Sequence, residues 1–142
     1  MERTTNLTPN QVSLNSDYSF GVSQEQFVIN KMIKYFGEEI QKTTERYCAY
    51  DFTSPTTKYE LKSRRISSTA YPTTIIACDK ARVEGRLVFL FNFTDGLFYI
   101  VFDLEKFAKY EVKKVSAIRS GGLRTAKPHY FINTKDLTKI DI

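Results

Sequence analysis

Between Asp51 and Lys62 an aspartate precedes a turn, and a Glu-Leu-Lys triplet follows it. Tyr47–Thr53 is rich in strand formers. Ser54-Pro55-Thr56-Thr57 carries turn chemistry with Pro at the second position, and Lys58–Lys62 resumes a strand. Side chains alternate along a strand, so Glu60 and Lys62 share one face while Leu61 points the other way, into a core. A tight turn centred on Pro55-Thr56 sets Asp51 directly across from Glu60, with Cβ atoms about 5 Å apart on that face. Two carboxylates and an ammonium then converge. A slip of one residue breaks the pairing, and Glu60 and Lys62 then read as an ordinary exposed, salt-bridged strand face.

Adjacent carboxylates repel each other unless a cation neutralises them. Hard oxygen ligands suit Mg²⁺ or Mn²⁺, held through one or two carboxylates with several waters retained. Such an ion polarises a phosphodiester, acidifies a bound water and steadies the leaving oxygen. Lys62 is placed to orient or help deprotonate that water, or to meet the charge on phosphorus. Glu25 is the candidate third carboxylate.

The elements that position these residues follow from pattern. Ser23 with Gln26 opens a helix as a capping box. Val28, Ile29, Met32 and Phe36 give it one apolar face, and it ends near Gly37 or Ile40. Glu25 lies three and four residues before Val28 and Ile29, on the buried stripe. Residues 63–72 are irregular and 73–77 form a strand. Asp79–Glu84 is a short helix or turn. Arg86–Phe93 and Leu97–Phe102 make a hairpin around Thr94-Asp95-Gly96. Phe89, Phe91, Phe93, Phe98, Tyr99 and Phe102 read as its core side chains. Leu104–Val115 is a helix or bent strand, Ser120-Gly121-Gly122 a loop, His129–Ile132 a strand and Thr134–Ile140 a terminal helix. Residues 1–22 read as a flexible arm and 23–142 as one α/β domain, a mixed sheet flanked by helices.

Composition narrows the partners. The 142 residues are 42% hydrophobic and 14% aromatic, enough for one real core. The net charge is +5, and residues 106–142 alone carry nine basic and three acidic side chains. A basic tail suits an anionic partner, nucleic acid above all, or is a solvated lysine-rich surface. Arg64 and Arg65, just after Lys62, suit phosphate, as do Arg119, Arg124 and Lys127 around Gly121-Gly122. Cys48 and Cys78 make no disulfide framework, and with His129 alone they make no zinc site. Met1–Asn10 is polar, and the most apolar run, Leu87–Phe93, is too short to span a bilayer. An intracellular, reducing setting is expected, with no membrane partner.

Asp51, Glu60-Leu61-Lys62 and the upstream helix with Glu25 resemble the PD-(D/E)XK nuclease superfamily, especially its small Holliday-junction resolvases. The resemblance covers about residues 23–140. It extends to a helix and further strands within 73–102, and to a closing strand and helix over 129–140. The family's usual Pro before the Asp is absent, and Tyr50 stands there. The resemblance implies a restriction-endonuclease-like fold and a Mg²⁺-dependent DNA endonuclease acting as a homodimer. Glu25, Asp51 and Glu60 would bind the metal with the Leu61 carbonyl. Lys62 would be the catalytic lysine and Lys80 an auxiliary one at the DNA. Junction resolution is the first expectation and a homing or restriction-type enzyme its near rival. A non-catalytic nucleic-acid-binding module is the alternative from another class.

Overall fold

Val28 and Met32, one helical turn apart, are fully buried along α1, the helix over residues 25–36. The helix ends at Gly37, whose φ of 68° is the left-handed conformation that lets its N–H return to the Ile33 carbonyl at 2.9 Å. The computed structural model describes residues 25–43, 50–81, 85–118 and 124–141. The arm over 1–22 and the Ser23 end of the capping box lie outside them.

The strands are β1 (Gln41–Lys42), β2 (Phe52–Thr53), β3 (Thr57–Ser63), β4 (Thr73–Ala77), β5 (Arg86–Phe93), β6 (Gly96–Val101), β7 (Glu111–Ile118), β8 (Arg124–Asn133) and β9 (Thr138–Lys139). A one-turn helix, α2, spans Leu104–Phe107. Six strands form one sheet in the order β1-β2-β3-β5-β6-β9, antiparallel throughout except for the parallel pair β3–β5. A separate antiparallel sheet has the order β4-β8-β7.

β5 explains the layering. Its residues from Leu87 to Phe91 are all buried, as a strand covered on both faces must be. Val88 and Leu90 join Val28, Met32, Phe52 and Tyr59 in the core under α1. Leu87, Phe89, Phe91 and Phe93 face the other way, against Ile76 of β4, Ile132 of β8 and Phe107 of α2. The six-stranded sheet thus carries a helix on one face and mainly a second sheet on the other.

The β2–β3 register is the one that a Pro55-Thr56 turn requires, with Phe52 opposite Tyr59 and Thr53 opposite Lys58. Elsewhere the expected helices are corrected. Thr134–Ile140 is a one-turn 3-10 helix, Thr134–Asp136, followed by β9. The Asn133 side chain caps that turn by accepting the Lys135 N–H, and Thr138–Lys139 then pair with the open edge of β6. Within 73–102 the described residues hold only the 3-10 turn Cys78–Lys80. Leu104–Val115 divides into α2 and the start of β7, and the strand expected at His129–Ile132 runs from Arg124 to Asn133. The chain is mixed α/β but mostly strand, and α1 is the one helix longer than a turn among the described residues. None of these helices is long and apolar enough to cross a membrane.

Candidate functional site

Phe52 and Tyr59 point into the core under α1, so alternation turns Glu60 to the opposite face. The β2 ladder ends at Phe52, so the rung expected between Asp51 and Glu60 does not form. The Asp51 N–H still donates to the Tyr59 carbonyl at 3.0 Å, but the next donor along β3, the Leu61 N–H, goes to Asp51 Oδ2 at 2.8 Å. The aspartate side chain takes the place of a further strand residue. Thr43 fixes it from behind, donating its N–H to the Asp51 carbonyl at 3.0 Å and its hydroxyl to the Tyr50 carbonyl at 2.7 Å.

Glu60 is 3% exposed, which is rare for a carboxylate without partners. Its Oε2 lies 3.2 Å from Lys62 Nζ and 3.7 Å from Lys80 Nζ. Burial pushes its pKa up and the negative charge of Asp51 adds to the push, while the two ammoniums oppose it. Both lysine side chains are about one-third exposed, so the charge cluster opens to solvent on their side. Lys80 arrives from the other sheet. It closes the 3-10 turn after β4, and its carbonyl accepts the Tyr50 hydroxyl at 2.9 Å. Sequence spacing relates Glu60 to Lys62. It carries no signal for Tyr50 as the anchor of Lys80.

Glu25 is not part of this cluster. Its Oε1 is 2.6 Å from Lys42 Nζ of β1, and α1 packs on the sheet face opposite Glu60. Periodicity assigns a residue to the inner stripe of a helix, but not to a face of the sheet beneath. Among the described residues no group of three or more His, Cys, Asp or Glu could hold a metal. Asp51 and Glu60 are two carboxylates on neighbouring strands. The Leu61 carbonyl shares an edge with its N–H, beside Asp51, because both groups of a strand residue project to one side. Two carboxylates and a carbonyl are a hard donor set that fits Mg²⁺ or Mn²⁺.

The arginines expected at DNA divide. The Arg64 guanidinium donates to the Ile75 carbonyl at 2.9 Å and lies 5.9 Å from the Phe91 ring centre, with its pKa pulled down by burial. It ties the end of β3 to β4. Arg65 is exposed. Arg124 is paired with Ile118 at the end of β8, and Arg119 and the Ser120-Gly121-Gly122 loop lie outside the described residues. Lys127 Nζ sits 3.2 Å from Asp79, the neighbour of Lys80. His129 Nδ1 is 2.8 Å from the Lys127 carbonyl. Burial and Asp79 push the Cys78 thiol pKa up, as in an unreactive cysteine, and Cys48 is outside the described residues.

No family model, curated protein or solved structure matches this chain.

Proposed function

We propose that this chain is a metal-dependent DNA endonuclease, with Asp51, Glu60 and Lys62 carrying the hydrolysis of a phosphodiester. The observation that supports it is the approach of Asp51, Lys62 and Lys80 to one buried carboxylate, Glu60, at the end of a hairpin. A buried carboxylate whose pKa is raised by burial and by a second carboxylate is the kind of group that clusters at functional sites.

Asp51, Glu60 and the Leu61 carbonyl would hold Mg²⁺ or Mn²⁺. The ion supplies Lewis-acid activation of water and of the phosphate. The chain's own groups do the rest. The Asp51 carboxylate is oriented by the Leu61 N–H, so its second oxygen is presented in a fixed direction. Lys62 stands between Glu60 and solvent, where its ammonium orients water and meets the negative charge that grows on the phosphate oxygens. Lys80 adds a second positive charge. Hydrolysis joins the water oxygen to phosphorus and breaks one P–O ester bond. The water proton is released, and the departing oxygen takes up a proton. With one such site among the described residues, a homodimer would place two on a four-way junction, and junction-selective cutting is the preferred form of the reading.

A second reading is a nucleic-acid-binding module without catalysis. It is favoured by Glu60 already having two ammonium partners and by the absence of Glu25 from the site. The decisive experiment is cleavage of a synthetic four-way junction beside a matched linear duplex, with Mg²⁺, with EDTA and with Asp51→Asn. Metal-dependent cutting of the junction, lost in the variant, supports the resolvase reading. Cutting of a long duplex at discrete sites supports a homing or restriction-type enzyme. Binding of both DNAs in EDTA without cleavage under any condition leaves the binding module.

A further inference from the structure

Beyond the rung that Ala77 of β4 shares with His129 of β8, the second sheet narrows to two strands. β7 and β8 continue as a pair for five more rungs, from Lys114 opposite Pro128 to Ile118 opposite Arg124. Those rungs extend roughly 17 Å past the sheet at about 3.4 Å per residue. A two-stranded ribbon is marginal in water without a layer packed against it. Lys113, Lys114, Ser116, Ala126 and Pro128 are all exposed. Opposed residues share a face, so Lys113 and Lys127 lie on one side and Lys114 on the other. From Val112 to Lys135 the chain has six Lys or Arg and no acidic residue.

The root of the ribbon adjoins the candidate site. Lys127 meets Asp79 at 3.2 Å, and the next residue, Lys80, reaches Glu60 at 3.7 Å. Lys113 pairs with Glu111 at its base. The Lys127–Asp79 and Lys113–Glu111 pairs are exposed, and such pairs are weak enough for a polyanion to displace.

We infer that the β7–β8 ribbon is the arm that engages duplex DNA, lying in the major groove beside the phosphate presented to Glu60. The inference rests on the nucleic-acid reading of that site. The major groove, about 12 Å wide, admits a two-stranded β-ribbon between phosphate walls on both sides. Positive charge on both faces of the ribbon fits two walls. A flat anionic surface such as a membrane would call on one face alone.

The test is equilibrium binding of a short duplex to the full chain in EDTA across a salt titration, for wild type, Lys113→Gln/Lys114→Gln and Ser116→Lys. The double variant is expected to bind about tenfold more weakly near physiological salt. Its slope of log K against log salt should fall by about 2, from roughly 0.9 per phosphate contact. Ser116→Lys should steepen the slope by about 1. A duplex whose cytosines carry a glucosylated hydroxymethyl group at C5, which fills the major groove, should bind poorly. Unchanged slopes in both variants, or indifference to the C5 substituent, would overturn the inference. Metal-dependent cleavage with ribbon-independent binding would sink the ribbon and leave the nuclease. Ribbon-dependent binding with no cleavage would do the reverse.

Discussion

Lys80 Nζ lies 3.7 Å from the Glu60 carboxylate, although Glu60 belongs to β3 of the six-stranded sheet and Lys80 follows β4 of the other. The Tyr50 hydroxyl, from the segment leading into β2, fixes the Lys80 backbone. Docking of the second sheet therefore completes the charge balance around Glu60, and the site exists only in the assembled fold.

Glu60 makes stability depend on pH in an unusual direction for a carboxylate. Folding raises its pKa above 4.5, through burial first and Asp51 second, so the folded chain holds this proton more tightly than the unfolded one. Its contribution is full below 4.5 and is lost as pH rises through the folded value. Glu60→Gln should raise Tm near neutral pH by about 2–4 °C, equivalent to roughly 1 kcal/mol. The gain should shrink to nothing in acid. A gain that grew toward low pH would contradict the assignment.

Glu25 and Lys80 give opposite expectations in a cleavage assay. Glu25 pairs with Lys42 across the sheet from Glu60, so Glu25→Gln should leave the cleavage rate within about twofold. Lys80→Gln removes a positive charge from the Glu60 cluster and should slow cleavage by about ten- to a hundredfold, with DNA affinity changed far less. Equal losses in both variants would return Glu25 to the site.

The contrast between these two residues shows what was legible. Asp51, Glu60 and Lys62 are close in sequence: a period of two relates Glu60 to Lys62, and the register at Phe52 and Thr53 is the one the turn chemistry dictates, but Asp51 leaves the ladder and reaches β3 through its side chain. Glu25 and Lys80 depend on which layer covers which face of β3. That is decided by the packing of β5, whose central residues Leu87 to Phe91 are apolar on both faces and do not say which layer covers which face. The end of the chain departs from its expected helix for a related reason. Thr134–Ile140 has helical spacing enough for a turn, but the open edge of β6 recruits Thr138 and Lys139 into a strand.

Arg64 and Arg65 are neighbours in sequence with different tasks. Arg64→Ala removes a half-buried stem, the hydrogen bond to Ile75 and the contact with Phe91, and should destabilise the fold by about 1–3 kcal/mol in urea unfolding. Arg65→Ala, at an exposed position, should stay within about 0.5 kcal/mol. If Arg64→Ala weakened DNA binding while leaving the unfolding midpoint unchanged, its role would be contact with phosphate after all.

Glu38, just past α1, is the clamp that holds the β2–β3 turn. Its carboxylate accepts hydroxyl protons from Thr56 at 2.6 Å, Tyr59 at 2.8 Å and Ser54 at 3.1 Å. Those bonds hold its pKa below 4.5, with the bond from Thr56 the largest contribution. Its stabilisation is therefore full above 4.5 and is lost as pH falls through the lower folded value. Glu38→Ala should cost about 1–2 kcal/mol near neutral pH, less than three charge-assisted bonds would suggest because solvent reaches the group. The difference from wild type should vanish in strong acid. The same turn sets the register that places Asp51 beside Glu60, so cleavage should also fall, through kcat, without loss of DNA affinity. Tyr59→Phe separates the effects: it deletes one of the donors while its ring stays in the core under α1, and should give a smaller fraction of both losses. A Glu38→Ala variant with wild-type acid stability and wild-type kcat would show that the turn holds its register unaided.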